Sequence, residues 1–266
     1  MKRRISIVAL LGLLWSLHSA GPATAQDASE AKGLAIAQEA DRRDTGFQDW
    51  SAELRMVLRN SHGEESTRDL RMRSLEVKGD GDKSLVIFDR PADVQGTALL
   101  TYTHKSGDDD QWLYLPALAR VKRISSNNKS GPFMGSEFAY EDFSSQEVEK
   151  YTYKYLRDEP LDGQPCFVVE RYPVDERSGY TRQVVWMDQA EYRVRKVEFY
   201  DRKKQHLKTL ALNGYNQYLD QYWRAGSLSM VNHQTGKSTD LVWSNYKFRN
   251  GFKDSDFDQN SLQRAR

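Results

Sequence analysis

The sequence predicts a mainly β protein with a few helices, built on a single curved antiparallel sheet that stays open as an unclosed barrel. Three observations carry this. Runs of bulky and polar residues alternate on the two-residue period of a pleated strand, and turn-forming residues separate them at regular spacing. The 266 residues are 38% hydrophobic and 29% charged, a balance that suits strands with one buried and one wet face better than strands buried on both. No internal repeat, heptad or low-complexity linker interrupts the pattern, so residues 26–266 read as one domain.

Residues 1–25 read as a secretory signal peptide. Lys2, Arg3 and Arg4 form the basic start, Ile5 to Leu17 the apolar stretch, and Ala23-Thr24-Ala25 a small-residue cleavage site. Cleavage is expected after Ala25, and no cysteine follows it to take a lipid anchor, so the expected product is a soluble exported protein beginning at Gln26. Later segments lack the ~20 consecutive apolar residues of a membrane helix. Removing residues 1–25 leaves 36 basic side chains against 38 acidic ones. A net charge of −2 with dispersed Lys and Arg argues against nucleic acid as a partner.

Ala28 to Asp44 has helix-forming composition, with Leu34, Ile36 and Ala37 spaced for one face, and Gly46 ends it. From Trp50 to Leu58 the chain alternates, with Trp50, Ala52, Leu54, Met56 and Leu58 on one side. Thr67 to Val77 returns as a second strand with Leu70 and Met72 inward. Ser84 to Phe88, Thr97 to Tyr102, Gln111 to Leu115 and Arg120 to Ile124 add four more. The acids of Lys78-Gly-Asp-Gly-Asp82 lack the closing Glu of a calcium loop and read as a turn. Asp108-Asp109-Asp110 reads as a solvated hairpin tip.

A polar run, Ser125 to Gly131, precedes Gly131-Pro-Phe-Met-Gly135, which sets two large apolar side chains on a glycine-flanked loop. Phe133 and Met134 therefore either plug a cavity, cap the core or touch a partner. Beyond it, strands are expected at Glu147 to Leu156, Cys166 to Tyr172, Thr181 to Met187, Tyr192 to Tyr200, Lys208 to Tyr218, Tyr222 to Val231 and Asp240 to Phe248. Cys166, the single cysteine, sits in an apolar strand and reads as a buried packing thiol. Phe257 and Leu262 suit a terminal helical turn tucked against the sheet.

The runs WLYLPALARVKRI and GSEFAYEDFS, with DSDFDQNSL downstream of the last strand, resemble the outer-membrane lipoprotein-sorting protein family of LolA-like periplasmic carriers. The resemblance is closest to the larger branch often encoded beside resistance-nodulation-division (RND) transporters. It implies an apolar concave face lidded by helices and loops that holds acyl chains, with an inner-membrane RND-type transporter as partner. Leu54, Met56, Leu58, Leu70, Met72, Phe133 and Met134 are the expected lining, Phe133 and Met134 forming a movable lid, although periodicity places the same residues equally well in a filled core.

No metal-ligand spacing, nucleophile elbow or phosphate-binding glycine loop occurs, and no cofactor is called for. His62, His104, His206 and His233 stand apart in or near turns. Binding rather than catalysis is the expected activity. A second reading is a periplasmic adaptor that carries no lipid and docks a transporter or envelope protein through Tyr151, Tyr153 and Tyr155.

Overall fold

The computed structural model describes residues 25–264, so the expected signal peptide, up to its last residue, lies outside the described residues. Thirteen strands form one antiparallel sheet. The N-terminal meander comprises β1 (Asp49–Arg59), β2 (Glu65–Leu75), β3 (Lys83–Arg90), β4 (Ala98–Tyr102), β5 (Asp110–Leu115) and β6 (Arg120–Ile124). The C-terminal one comprises β7 (Tyr151–Leu161), β8 (Gln164–Pro173), β9 (Tyr180–Asp188), β10 (Val194–Asp201), β11 (His206–Asn213), β14 (Ser227–Asn232) and β15 (Ser238–Phe248). Between β11 and β14, β12 (Asn216–Tyr218) and β13 (Tyr222–Arg224) form a separate hairpin. Pairing of β1 with β15, Leu54 opposite Trp243 and Met56 opposite Leu241, joins the two meanders. The free edges are β6 and β7.

Alternation does what the sequence predicts. On β1, Ala52, Leu54 and Met56 are buried while Glu53 and Arg55 between them are exposed. The continuous apolar run of β3 has its own cause, because both of its faces are covered. Val86 and Phe88 join the concave core, whereas Leu85 and Ile87 meet Phe257 and Leu262 on the convex side. Those last two side chains come from a 3-10 turn (Asp254–Phe257) and the short helix α2 (Gln259–Arg264), and both are fully buried. Cys166 is fully buried on the same outer side of the C-terminal meander, against Val168, Val184 and Trp186.

Two expectations are corrected. The long strands foreseen at Lys208 to Tyr218 and Tyr222 to Val231 each break, at Gly214 and at Ala225-Gly226, and the middle pieces fold away as the β12–β13 hairpin. A Cβ on Gly226 would stand 2.8 Å from the carbonyl oxygen of Gly214, so the hairpin's base closes only with glycine there. The helix α1 (Ala25–Asp44) packs mainly on edge strand β7, and its Ile36, Ala37 and Ala40 line the concave hollow. Gly33 permits this approach, since a Cβ there would lie 2.8 Å from the amide nitrogen of Tyr155. Ile36 reaches the concave core, but Leu34 of the expected stripe is 39% exposed.

Residues 125–150 connect β6 to β7, which are opposite edges of the sheet, and so must cross its concave side. They do so as a chain of 3-10 turns, Ser126–Asn128, Phe133–Gly135, Tyr140–Phe143 and Val148–Lys150. Phe133 is 0% exposed, with its ring 4.3 Å from Phe143 and 5.6 Å from Phe88. The crossing is tied down by buried polar bonds. Lys208 donates to the Glu137 carbonyl at 2.9 Å and to Asp142 at 3.0 Å, and Tyr180 donates to Asp142 at 2.9 Å. Glu141 accepts from Ser178 and from the Gly179 amide. Phe133 is thus buried as a plug in the core. Met134, partly buried at φ 48°, packs beside it and offers its carbonyl to Arg68.

Truncating Phe133 to Ala should therefore cost about 3–5 kcal/mol in urea unfolding, with Met134→Ala costing clearly less. A Phe133→Ala protein as stable as the parent would show that the plug is loose.

Candidate functional site

The plug fills one end of the trough, the end of Leu58, Phe88 and Thr239, and leaves the rest hollow. The hollow has a volume of about 1370 Å³. Its apolar wall comes mainly from the C-terminal meander, with Val185, Met187, Phe199, Leu212, Met230 and Trp243 among the lining side chains. Of the residues expected to line a cavity, Met72 does so. Leu54, Met56 and Leu70 are buried in the filled core, with Leu58 and Met134 packed against it and Phe133 inside it. The physical reason is the plug itself. Its Phe133, Phe138 and Phe143 rings occupy the space those strand residues face.

At the other end lie the C-terminus of α1, the turn between β9 and β10, and the β12–β13 hairpin. Polar and ring contacts bring these together. Arg224 pairs with Asp44 and lies over Phe47, with its guanidinium 5.3 Å from the ring centroid. Arg193 sits 4.4 Å from the Trp223 ring and bonds the buried Asp188 at 2.7 Å. The Trp223 indole donates to Glu191 at 3.3 Å, and Arg43 stacks on Tyr192 at 4.4 Å. None of these mouth elements was foreseen as a site. The signal available in the sequence was the concentration of Tyr215, Tyr218, Tyr222 and Trp223 between Gly214 and Gly226.

A second group of residues lines the mouth from the N-terminal meander. In register across β2 to β5 stand Ser74, Ser84, Thr101 and Gln111, a row of polar side chains on an otherwise apolar concave face. Next to it Asp82, Ser145 and Glu147 meet. The Ser145 hydroxyl donates to Glu147 at 2.6 Å and accepts from the Asp82 amide at 3.3 Å. Burial, followed by the like charges of Glu147, Glu76 and Asp44, pushes the Asp82 carboxyl up to about 7. Burial also raises Glu147.

Several other reactive groups among the described residues are engaged in local contacts. His104 is held between Asp80, 2.7 Å from Nδ1, and Asp110, 3.5 Å from Nε2, and these carboxylates raise its pKa, so it links two turns. Asp108 and Asp109 cross-link to Arg177 and Lys150 rather than standing free at a hairpin tip. His206 and His233, foreseen as separate, stack with centroids 4.4 Å apart and flank the Thr209 hydroxyl. Among the described residues no group of three or more His, Cys, Asp or Glu is placed to hold a metal ion, and no helix is long and apolar enough to cross a membrane. Tyr153 is buried, Tyr151 stacks under Arg171, and Tyr155 carries Lys32 3.4 Å above its ring, so the tyrosines of β7 are engaged within the chain.

An open antiparallel sheet with one end plugged leaves an apolar hollow on its concave face. A family model described as that of an uncharacterized protein matches residues 80–264. The structure is similar to a domain from Vibrio parahaemolyticus described as an outer membrane lipoprotein-sorting protein. That domain is 60% identical with a TM-score of 0.87, over 88% of this chain and 99% of its own. A DUF1329 family protein from Desulfovibrio piger is 31% identical with a TM-score of 0.83, over 88% and 99%. A LolA superfamily protein from Nitrosomonas europaea shares the fold at 22% identity and a TM-score of 0.70, over 86% and 98%. Comparison with curated proteins gives no match. The chain belongs to the outer membrane lipoprotein-sorting protein family, with LolA superfamily and DUF1329 proteins as its structural neighbours.

A carboxyl raised from its ordinary 3.8 to about 7 on folding binds a proton more tightly in the native state. It therefore penalises folding increasingly as pH rises from about 4 through 7. Asp82→Asn should raise the unfolding temperature at pH 8 by several degrees and change it little at pH 4. Equal shifts at both pH values would mean that Asp82 does not titrate in that window.

Proposed function

We propose that the protein is a periplasmic carrier that shelters acyl chains of a lipid or lipoprotein in this hollow and releases them towards the outer membrane. The observation that carries the reading is the apolar wall of an unfilled cavity of about 1370 Å³ on the concave face. A chain moving through water exposes methylenes at a cost of about 0.8 kcal/mol each, and such a wall offsets that cost. Lipoprotein sorting is the role named for the 60% identical Vibrio domain, which supports the same kind of cargo here. Supply by an RND-type transporter of the inner membrane follows from the resemblance of the stretch from Trp112 to Phe143 to the branch encoded beside such transporters.

The plug and the mouth divide the labour. The plug holds the sheet's shape at one end through buried bonds, while the mouth is closed by ion pairs and ring contacts that contribute about 0–1 kcal/mol each where water reaches them. Cargo thus enters and leaves at the hairpin end, where opening disrupts no sheet pairing.

Organic extracts of protein purified from the periplasm without detergent should contain stoichiometric acyl lipid by mass spectrometry. Leu228→Asp, which puts a charge on the cavity wall beside Leu212, should lose that lipid while keeping the parent's circular dichroism. Protein that carries no lipid from any preparation, or Leu228→Asp protein that carries it undiminished, contradicts the carrier reading.

A further inference from the structure

We infer that the mouth of the cavity holds a headgroup subsite for an ammonium-bearing amphiphile, formed by Ser84, Asp82 and Glu147. The inference rests on the carrier reading of the same cavity and adds what the cargo carries at its polar end. Two independent observations converge on it.

The first is a missing partner. Ser84 is only 7% exposed, faces the cavity, and its hydroxyl oxygen is buried with no hydrogen-bond partner. Ser144, which also lines the cavity, has a buried hydroxyl in the same condition. A buried hydroxyl left unpaired destabilises the fold, and a ligand that donates to it recovers that loss.

The second is charge. Asp82 lies two residues before Ser84, just ahead of β3, and the Ser145 hydroxyl links its backbone amide to the Glu147 carboxylate. Both acids bond to neutral groups, Asp82 to the backbone at Val77 and Glu147 to the Ser145 hydroxyl. Glu76 and Asp44 add negative charge from β2's end and from α1. Glu76 is engaged by the Gly46 and Gln48 amides and Asp44 by Arg224, whereas Lys105 is the cation that acts on Glu147. Burial does most to raise the Asp82 carboxyl, and the like charges of Glu147, Glu76 and Asp44 add to it; a bound cation relieves that second part.

The donor set selects the ligand. A compact ammonium has several N–H donors that suit one hydroxyl oxygen and two carboxylates, and it is covalently tied to the apolar tail that fills the hollow. An anionic headgroup meets like charge in the same place. The ammonium can be the amino headgroup of a lipid or the free α-amine of an acylated polypeptide, and the chemistry at the subsite is the same.

The test uses the full exported protein at pH 8 with a neutral fluorophore, N-phenyl-1-naphthylamine, in the cavity. It is displaced by three amphiphiles sharing one tail: dodecylammonium, dodecyl maltoside and dodecanoate. Dodecylammonium should displace at about tenfold lower concentration than dodecanoate, roughly one pKa unit's equivalent of interaction. Combining Asp82→Asn with Glu147→Gln should erase that ratio and leave dodecyl maltoside unchanged, and Ser84→Ala should weaken dodecylammonium alone. Equal displacement by all three tails, or a preference that survives the double substitution, overturns the subsite and leaves the carrier standing. Failure of every tail to displace the fluorophore overturns the carrier reading itself. Repeating the displacement with phosphatidylethanolamine and with a diacylated peptide, free or N-acetylated at its α-amine, assigns the ammonium to a lipid or to a polypeptide.

Discussion

The pairing of β1 with β15 is the constraint from which the rest follows. It splices two antiparallel meanders into one sheet and leaves β6 and β7, neighbours in sequence, at opposite edges. The chain between them has no short route. It must cross the concave face, and a segment buried there needs apolar side chains and satisfied backbone groups. Phe133, Phe138 and Phe143 supply the first, and Lys208, Tyr180, Asp142 and the backbone bond from Phe133 to Phe138 supply much of the second. A plug at one end of the trough is thus the consequence of topology, and the hollow is the space the crossing does not reach.

Edges and rim are handled with equally local chemistry. The β7 edge is covered by α1, whose Gly33 allows contact with the strand's backbone, while β6 presents Arg120, Lys122 and Arg123, a basic edge that resists pairing with another chain. The hairpin β12–β13 turns away from the sheet at paired glycines and brings aromatic rings over the mouth. A polar row from Ser74 to Gln111 crosses the concave face with acids beside it, and Lys129, Asp142, Arg171 and Gln183 add polar groups to the lining of the hollow.

Much of this architecture was legible in the residues. Strand existence came from period-two alternation, and the turns at Ser61 to Glu64, Leu161 to Gly163 and His233 to Gly236 fall where glycine and polar residues placed them. The break in Lys208 to Tyr218 was missed because alternation continues through Gly214 into the hairpin, and only the tertiary fold shows that the ladder does not. Leu34 was misplaced on α1 since the helix buries a narrow strip against one strand rather than a broad face. The cavity was the least legible feature. Period two tells which face a side chain takes, not whether another side chain has filled the space opposite it. Leu54, Met56 and Leu70 point inward as expected, yet they meet phenylalanines from a segment some 75 residues away in the chain, a distance set by β1 and the plug rather than by any local pattern.

The central claim is that acyl chains occupy the hollow bounded by the C-terminal meander and stop at the plug. Photo-cross-linking with an acyl amphiphile carrying a diazirine at the tail end, followed by peptide mapping, tests it most directly. The account predicts adducts on β9 to β11, β14 and β15, around Val185, Phe199, Met230 and Trp243, and none on Leu54, Met56, Leu70 or Phe133. Adducts concentrated on those four residues would show that the plug yields to cargo and would contradict the division between a filled end and a hollow one.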